Sequence, residues 1–233
     1  MACAERLFFG IPIVAEAPPD LADRWGCART GPGLLLFARS ALLWRLVRTR
    51  RIRGLMTAGR DAVAPLGGIA RRQIRIATGC ATGDYVPLQS VVRILARAEA
   101  DSATVFLVDS ATDALRSLEG NTRDTFPGLR VVGRATLNHH IADSVTTAIR
   151  KAEPRIVLVG SARGHVLRWI AESIDGVGNA LIVIAPDAVS RMISRRDGSP
   201  LTSAILLPLR ILMIPVLLIH RIALHRRQKK RPV

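Results

Sequence analysis

From Thr104 onward the chain alternates short, continuously apolar runs with amphipathic stretches, and this limits the possible folds more than any other feature of the sequence. TVFLV (104–108) has no polar side until its end, the pattern of a strand covered on both faces. Ser110 then stands where a helix N-cap belongs, and Ala114, Leu115 and Leu118 follow at helical spacing. Pro127-Gly128 marks a turn before the second run, LRVVG (129–133). Ile141, Val145 and Ile149 share one face of a helix predicted over 138–152, which Pro154 ends. RIVLVG (155–160) is the clearest strand, HVLRWIAESI (165–174) the helix after it, and ALIVIA (180–185) the fourth strand. Strands and helices repeating at this interval imply βαβ units and a parallel sheet.

The first hundred residues carry the pattern less sharply. RLFFGIPIV reads as a first strand with turns. Its apolar run is too short for a secretory signal, is interrupted by Gly10 and Pro12 and follows Glu5. LLLFA (34–38), a basic helix over 39–51, GLMTA (54–58) and a helix over 86–99 extend the series, with 71–84 expected as loop. Of 233 residues 49% are hydrophobic, which suffices for a packed core and excludes a disordered chain. Cys3, Cys27 and Cys80 form no CxxC pair, and the adjacent His139 and His140 point apart on any regular element. These residues provide neither a disulfide framework nor a metal site, so a reduced, cytoplasm-facing compartment is expected.

The formal net charge is +16. Arginines cluster at 45–53 and at 71, 72 and 75, either as solvated helix faces or as contacts for phosphate and anionic lipid. With one tyrosine in the chain, no aromatic platform beside the basic runs and no nucleic-acid module, charge alone does not make this a nucleic-acid binder.

Apolar character concentrates at the C-terminus. LTSAILLPLRILMIPVLLI (201–219) is followed by a tail with six Lys/Arg and no acid. Nineteen helical residues would span roughly 28 Å, close to a hydrocarbon core. Arg210, Pro208 and Pro215 interrupt the segment, however, and Arg210 and Arg221 share a face three turns apart. A helix lying in the membrane interface places both arginines at lipid phosphates. A single pass and a buried terminal helix remain the alternatives.

In an open parallel sheet, ligands sit beyond the carboxyl ends of the strands. That rule selects Asp109-Ser110, Gly133–Asn138, Gly160–His165 and Ala185–Val189. VGSARGH (159–165) is a glycine-bearing strand-to-helix turn whose amides, with Gly160, Ser161 and Arg163, could hold a phosphate, or could be a structural turn only. Arg163 or His165 would then serve a leaving diphosphate. Asp187 suits a general base, or equally a helix N-cap.

In order, these pieces resemble the WecG/TagA/CpsF family of glycosyltransferases over about 130 residues. TFPGLRVVG is similar to the family's "yPgL-ivG", and AEPRIVLVGSARGHVLRWI lies without a gap over "s-pDillVGlGsPkQE-WI". LPLRILMIPVLLIHR lies over "EWlyRLl-eP-RlwrR", which matches Arg210, Pro215 and Arg221. RLFFGIPI resembles the opening "G-pid" strand, and LLLFARSALL resembles "vvTlNaehl".

The resemblance implies inverting, metal- and cofactor-independent transfer of an N-acetylmannosamine-type sugar from a UDP donor to N-acetylglucosamine on a polyprenyl diphosphate. It also implies a C-terminal appendage completing the site at the cytoplasmic face of the cell membrane, in cell-envelope polysaccharide synthesis. A homo-oligomer is left open.

Several family positions differ. The strand-end "aDG", which carries the family's catalytic aspartate, falls on Ala58-Gly59-Arg60, so Asp61 is the candidate replacement. "TlN" becomes Phe37-Ala38-Arg39, and the glutamine and glutamate of "PkQE" become Val166 and Leu167. "GG-fDf" becomes Ile184–Val189, with Asp187 one residue out of register. Losing hydrogen-bonding groups at this many positions weakens sugar recognition as well as proton transfer. A catalytically degenerate relative acting as a membrane-bound binding or scaffold protein is therefore the alternative.

The expected architecture is α/β: a Rossmann-like parallel sheet with flanking helices over 1–199 and a membrane-associated helical appendage over 200–233. Asp61 and Asp187 are the expected catalytic residues. Gly160, Ser161, Arg163, His165, Arg210 and Arg221 are expected to bind substrate.

Overall fold

The computed structural model describes residues 6–14, 33–49, 53, 56, 61–138, 141–173 and 176–193. Among them, eight strands form one sheet in the order β1-β2-β4-β3-β8-β7-β5-β6. Only β1 (Arg6–Phe8) is antiparallel, hairpinned to β2 (Ile11–Ile13). The remaining strands are β3 (Gly33–Arg39), β4 (Asp61–Leu66), β5 (Thr104–Asp109), β6 (Arg130–Thr136), β7 (Ile156–Val159) and β8 (Leu181–Ile184). All of these pair in parallel.

Among the described residues seven helices flank the sheet. They are α1 (Ser40–Arg48), α2 (Gly67–Thr78), α3 (Pro87–Ala100), α4 (Thr112–Thr125), α5 (Ala142–Ala152), α6 (Gly164–Ser173) and α7 (Pro186–Ile193). Two buried clusters show how they divide. Leu43, Ile74, Val145 and Trp169, from α1, α2, α5 and α6, pack on one face. Ile94, Leu115 and Val189, from α3, α4 and α7, pack on the other.

Coverage on both faces explains why the inner strands read as unbroken apolar runs, and β4, β7 and β8 are buried along their whole length. Strand β6, at the sheet margin, alternates between exposed and half-buried residues and carries Arg130 and Arg134, charges that discourage edge pairing with another chain.

Two expectations for the first hundred residues, the single first strand and the loop over 71–84, are corrected. The expected first strand is a hairpin, because Phe9 (φ 51°) and Gly10 (φ 86°) form a two-residue turn with both residues in the left-handed region. Asp61–Leu66 forms a strand that was not expected, and of the strand expected at 54–58, residues 54, 55, 57 and 58 lie outside the described residues. The expected loop over 71–84 is helical through Thr78. Ala70, Ile74 and Ala77 bury one stripe of α2, and Ser40 Oγ donates to Gln73 Oε1 at 2.7 Å, joining α1 to α2. Pro65 is accommodated inside β4 because its missing N–H faces past the end of β2, whose last bond to β4 is Val14 N–H to Val63 O.

No helix among the described residues is long and apolar enough to cross a membrane. The segment 201–219, with Arg210 and Arg221, lies outside the described residues, as do His139 and His140.

Candidate active site

Two crevices open at the carboxyl edge of the sheet, each where successive connections leave in opposite directions. Strand β3 leads through α1 to β4, while its neighbour β8 leads into α7 on the other face. Strand β5 leads through α4 to β6, while its neighbour β7 returns through α6 to β8. Such switch points leave a gap between helices, and the strand-end residues line it.

At the β3/β8 crevice Arg39 ends β3 and Asp187 opens α7. Arg39 Nε donates to Asp187 Oδ2 at 2.7 Å, and the side chains are 57% and 29% exposed. A cleft of about 350 Å³ lies here, bordered also by Leu66, Gly67, Gly68 and Arg191. Strand β4 ends in this cleft at Leu66, and Gly67 turns the chain into α2 with φ 78°. The strand end in this cleft thus carries no acid, and the expected match at Ala58-Gly59-Arg60 lies outside the described residues.

Asp61 is not part of this cleft. It is the first residue of β4, paired in register with Leu34, while Leu66 pairs with Arg39. Five residues of strand separate the two ends by roughly 16 Å. Asp61 is 1% exposed, and its Oδ1 accepts the Leu34 N–H at 3.0 Å. The structure therefore does not bring Asp61, expected as a catalytic residue, together with Asp187. The Asp61 carboxylate serves the amino edge of the sheet, opposite the edge where Asp187 lies.

At the β5/β7 crevice, Gly160 leads from β7 into the turn before α6. A Cβ there would fall on Asp109 Oδ2 and come within 2.6 Å of Val189 Cγ1, so only glycine fits. Asp109 Oδ1 accepts the N–H groups of Ser110 at 2.6 Å and Ala111 at 3.1 Å. Ser161 is buried, and its Oγ accepts the Arg163 N–H at 3.4 Å, while Arg163 is exposed. His165, half-buried, follows in the first turn of α6, which has no acidic residue. At Gly164 a Cβ would lie 2.6 Å from Arg45 Nη2, so the Arg45 guanidinium sits over the start of α6 beside the turn. A helix N-terminus with two arginines near it is an anion-favouring arrangement.

Gly160, Ser161, Arg163, His165 and Asp187 thus share one edge of the sheet, and Val189 against Gly160 links α7 to the turn. Asp109 stands at the strand end where the sequence placed it, whereas Arg39 in the cleft and Arg45 over the turn were not expected at the site. The abrupt end of LLLFA at an arginine was the available signal for Arg39. Nothing local marked the approach of Arg45 or Asp109 to glycines more than fifty residues further along the chain. Phe37, Ala38, Val166 and Leu167 are buried in the core, so these family-matched positions offer no polar group to a sugar. Among the described residues no three His, Cys, Asp or Glu side chains come together as a metal site.

The sequence model of the Glycosyl transferase WecG/TagA/CpsF family matches residues 8–194. No curated protein matches the chain. Because the family match covers well over half of the chain, the chain belongs to the WecG/TagA/CpsF family.

Proposed function

We propose that this family member transfers an N-acetylmannosamine-type sugar from a UDP donor to N-acetylglucosamine on a polyprenyl diphosphate, in cell-surface polysaccharide synthesis. One observation carries the reading: a carboxylate, Asp187, lies on the same sheet edge as the glycine-bearing turn at 160–164 and its two arginines. The acceptor hydroxyl attacks the anomeric carbon and its proton passes to Asp187. The bond from that carbon to the diphosphate breaks with inversion, and UDP departs with the electron pair. Arg163 and the amides beginning α6 balance the charge on the leaving diphosphate. Arg39 orients Asp187 through its 2.7 Å bond. Residues 200–233, with Arg210 and Arg221, hold the protein at the cytoplasmic face of the membrane and close over the lipid-linked acceptor.

The test is UDP release from UDP-N-acetylmannosamine in the presence of a prenyl-diphosphate-linked N-acetylglucosamine. Asp187→Asn is expected to lose about a hundredfold or more in rate, the scale of removing a general base. Wild-type rate in that variant would remove Asp187 from the chemistry. For the anchor, full-length protein is expected to sediment with anionic vesicles and a chain ending at Arg195 to stay in solution. If both stay in solution, the appendage is not an anchor.

A second reading is favoured by the end of β4 in the cleft, where Leu66, Gly67 and Gly68 supply no acid. On that reading the protein binds the nucleotide sugar or the lipid diphosphate without turnover. Saturable UDP-sugar binding in calorimetry with no UDP release from the wild type is its signature.

A further inference from the structure

Helix α2 has two stripes of opposite character. Ala70, Gln73, Ile74 and Ala77 face the core. Gly68, Arg71, Arg72, Arg75 and Ile76, at i, i+3, i+4, i+7 and i+8, line a groove of about 600 Å³ that Ala81 and Thr82 close from the other side. Gly68 also borders the cleft of Arg39 and Asp187, so the groove adjoins the candidate active site.

Two observations separate this groove from an ordinary solvated basic face. Its charge is poorly balanced: Arg71 Nη2 holds Asp84 at 3.1 Å, but among the described residues neither Arg72 nor Arg75 has an acidic partner. Its wall also contains unused hydrogen-bonding capacity, since Arg71 Nε and Thr82 Oγ1 are shielded from solvent and make no hydrogen bond among the described residues. Leaving such groups unpaired is unfavourable, and a small shift of either side chain would present it to a ligand in the groove. Guanidinium groups bind phosphate oxygens bidentately, and Arg72 and Arg75 are about 4.5 Å apart along the helix axis, a spacing suited to neighbouring phosphates. No aromatic side chain lines the groove, which removes the stacking surface a nucleobase uses.

We propose that the outer groove of α2 is a binding site for a diphosphate. The diphosphate belongs either to a prenyl diphosphate or to a free one. The assignment of a prenyl carrier rests on the transferase reading, whereas the site itself rests only on the groove.

The experiment is calorimetry on the full chain with inorganic pyrophosphate and with geranyl diphosphate. It compares the wild type, an Arg72→Gln/Arg75→Gln variant and an Arg116→Gln/Arg130→Gln variant that removes the same charge elsewhere. The expected result is a tenfold or greater weakening of pyrophosphate binding in the α2 variant alone, with UDP affinity unchanged. Geranyl diphosphate binding more tightly than pyrophosphate, and competing with it, supports a lipid carrier as the source. Equal affinities support a free diphosphate. No saturable pyrophosphate binding by the wild type, or equal weakening in both variants, overturns the site. So does an α2 variant that keeps pyrophosphate affinity and loses only sedimentation with phosphatidylglycerol vesicles, because the arginines would then contact headgroups diffusely. Failure of sugar transfer leaves all of these readouts intact.

Discussion

Gly160→Ala probes the junction that brings the candidate site together. The added methyl would overlap Asp109 Oδ2 and lie 2.6 Å from Val189 Cγ1, and neither neighbour can yield freely. Val189 is 1% exposed and packed in the core under α7. Asp109 is held by the amides of Ser110 and Ala111. Overpacking a tight core costs about 1–3 kcal/mol, and displacing a carboxylate from charge-assisted hydrogen bonds adds about 1.5–3 kcal/mol. A loss of about 3 kcal/mol is expected, which for a chain of this size lowers Tm by about 6–12 °C. Thermal and urea unfolding followed by circular dichroism measure it. Pairing the change with Asp109→Ala separates the causes. If the carboxylate is the obstacle, the double variant is more stable than the sum of the singles by at least about 1 kcal/mol. A Gly160→Ala protein within about 0.5 kcal/mol of wild type would refute the close approach of these three residues.

Two further substitutions test how the remaining polar groups are used. Asp61→Ala is expected to lower stability by about 1–3 kcal/mol, because the buried Leu34 N–H loses its acceptor, while UDP affinity of the folded protein stays at the wild-type value. A loss of UDP affinity at unchanged stability would return Asp61 to the site. Trp169→Phe removes the 2.8 Å bond from Trp169 Nε1 to Thr146 Oγ1 that ties α6 to α5, with an expected loss of about 0.5–1.5 kcal/mol in urea unfolding. Adding Thr146→Val to that variant should cost little more.

The sequence alone determined the second half of the fold. The runs around 104–108, 155–160 and 180–185 form inner strands at the expected places, because a strand covered on both faces must be apolar at every position and so leaves an unmistakable local record. The family could be read from the same stretch, as could the turn at 160–164 and the position of Asp187 at a strand end. What tertiary structure decided lies where local propensity and final environment disagree. DAVAPL begins with an acid and contains a proline, poor local signals for a strand, yet it occupies the sheet between β2 and β3 because Leu34 N–H satisfies Asp61 and the proline sits beyond the end of β2. GGIARRQIRIAT resembles a basic loop but becomes helical once Ala70, Ile74 and Ala77 have a sheet to cover and Gln73 has Ser40 to bond. The placing of that strand puts Asp61 at the amino edge of the sheet, away from Asp187. The strand order likewise brought Arg39 against Asp187, 148 residues away in sequence. Long-range pairings of this kind leave no periodicity in the chain. They follow from which strands become neighbours, and only the completed sheet decides that.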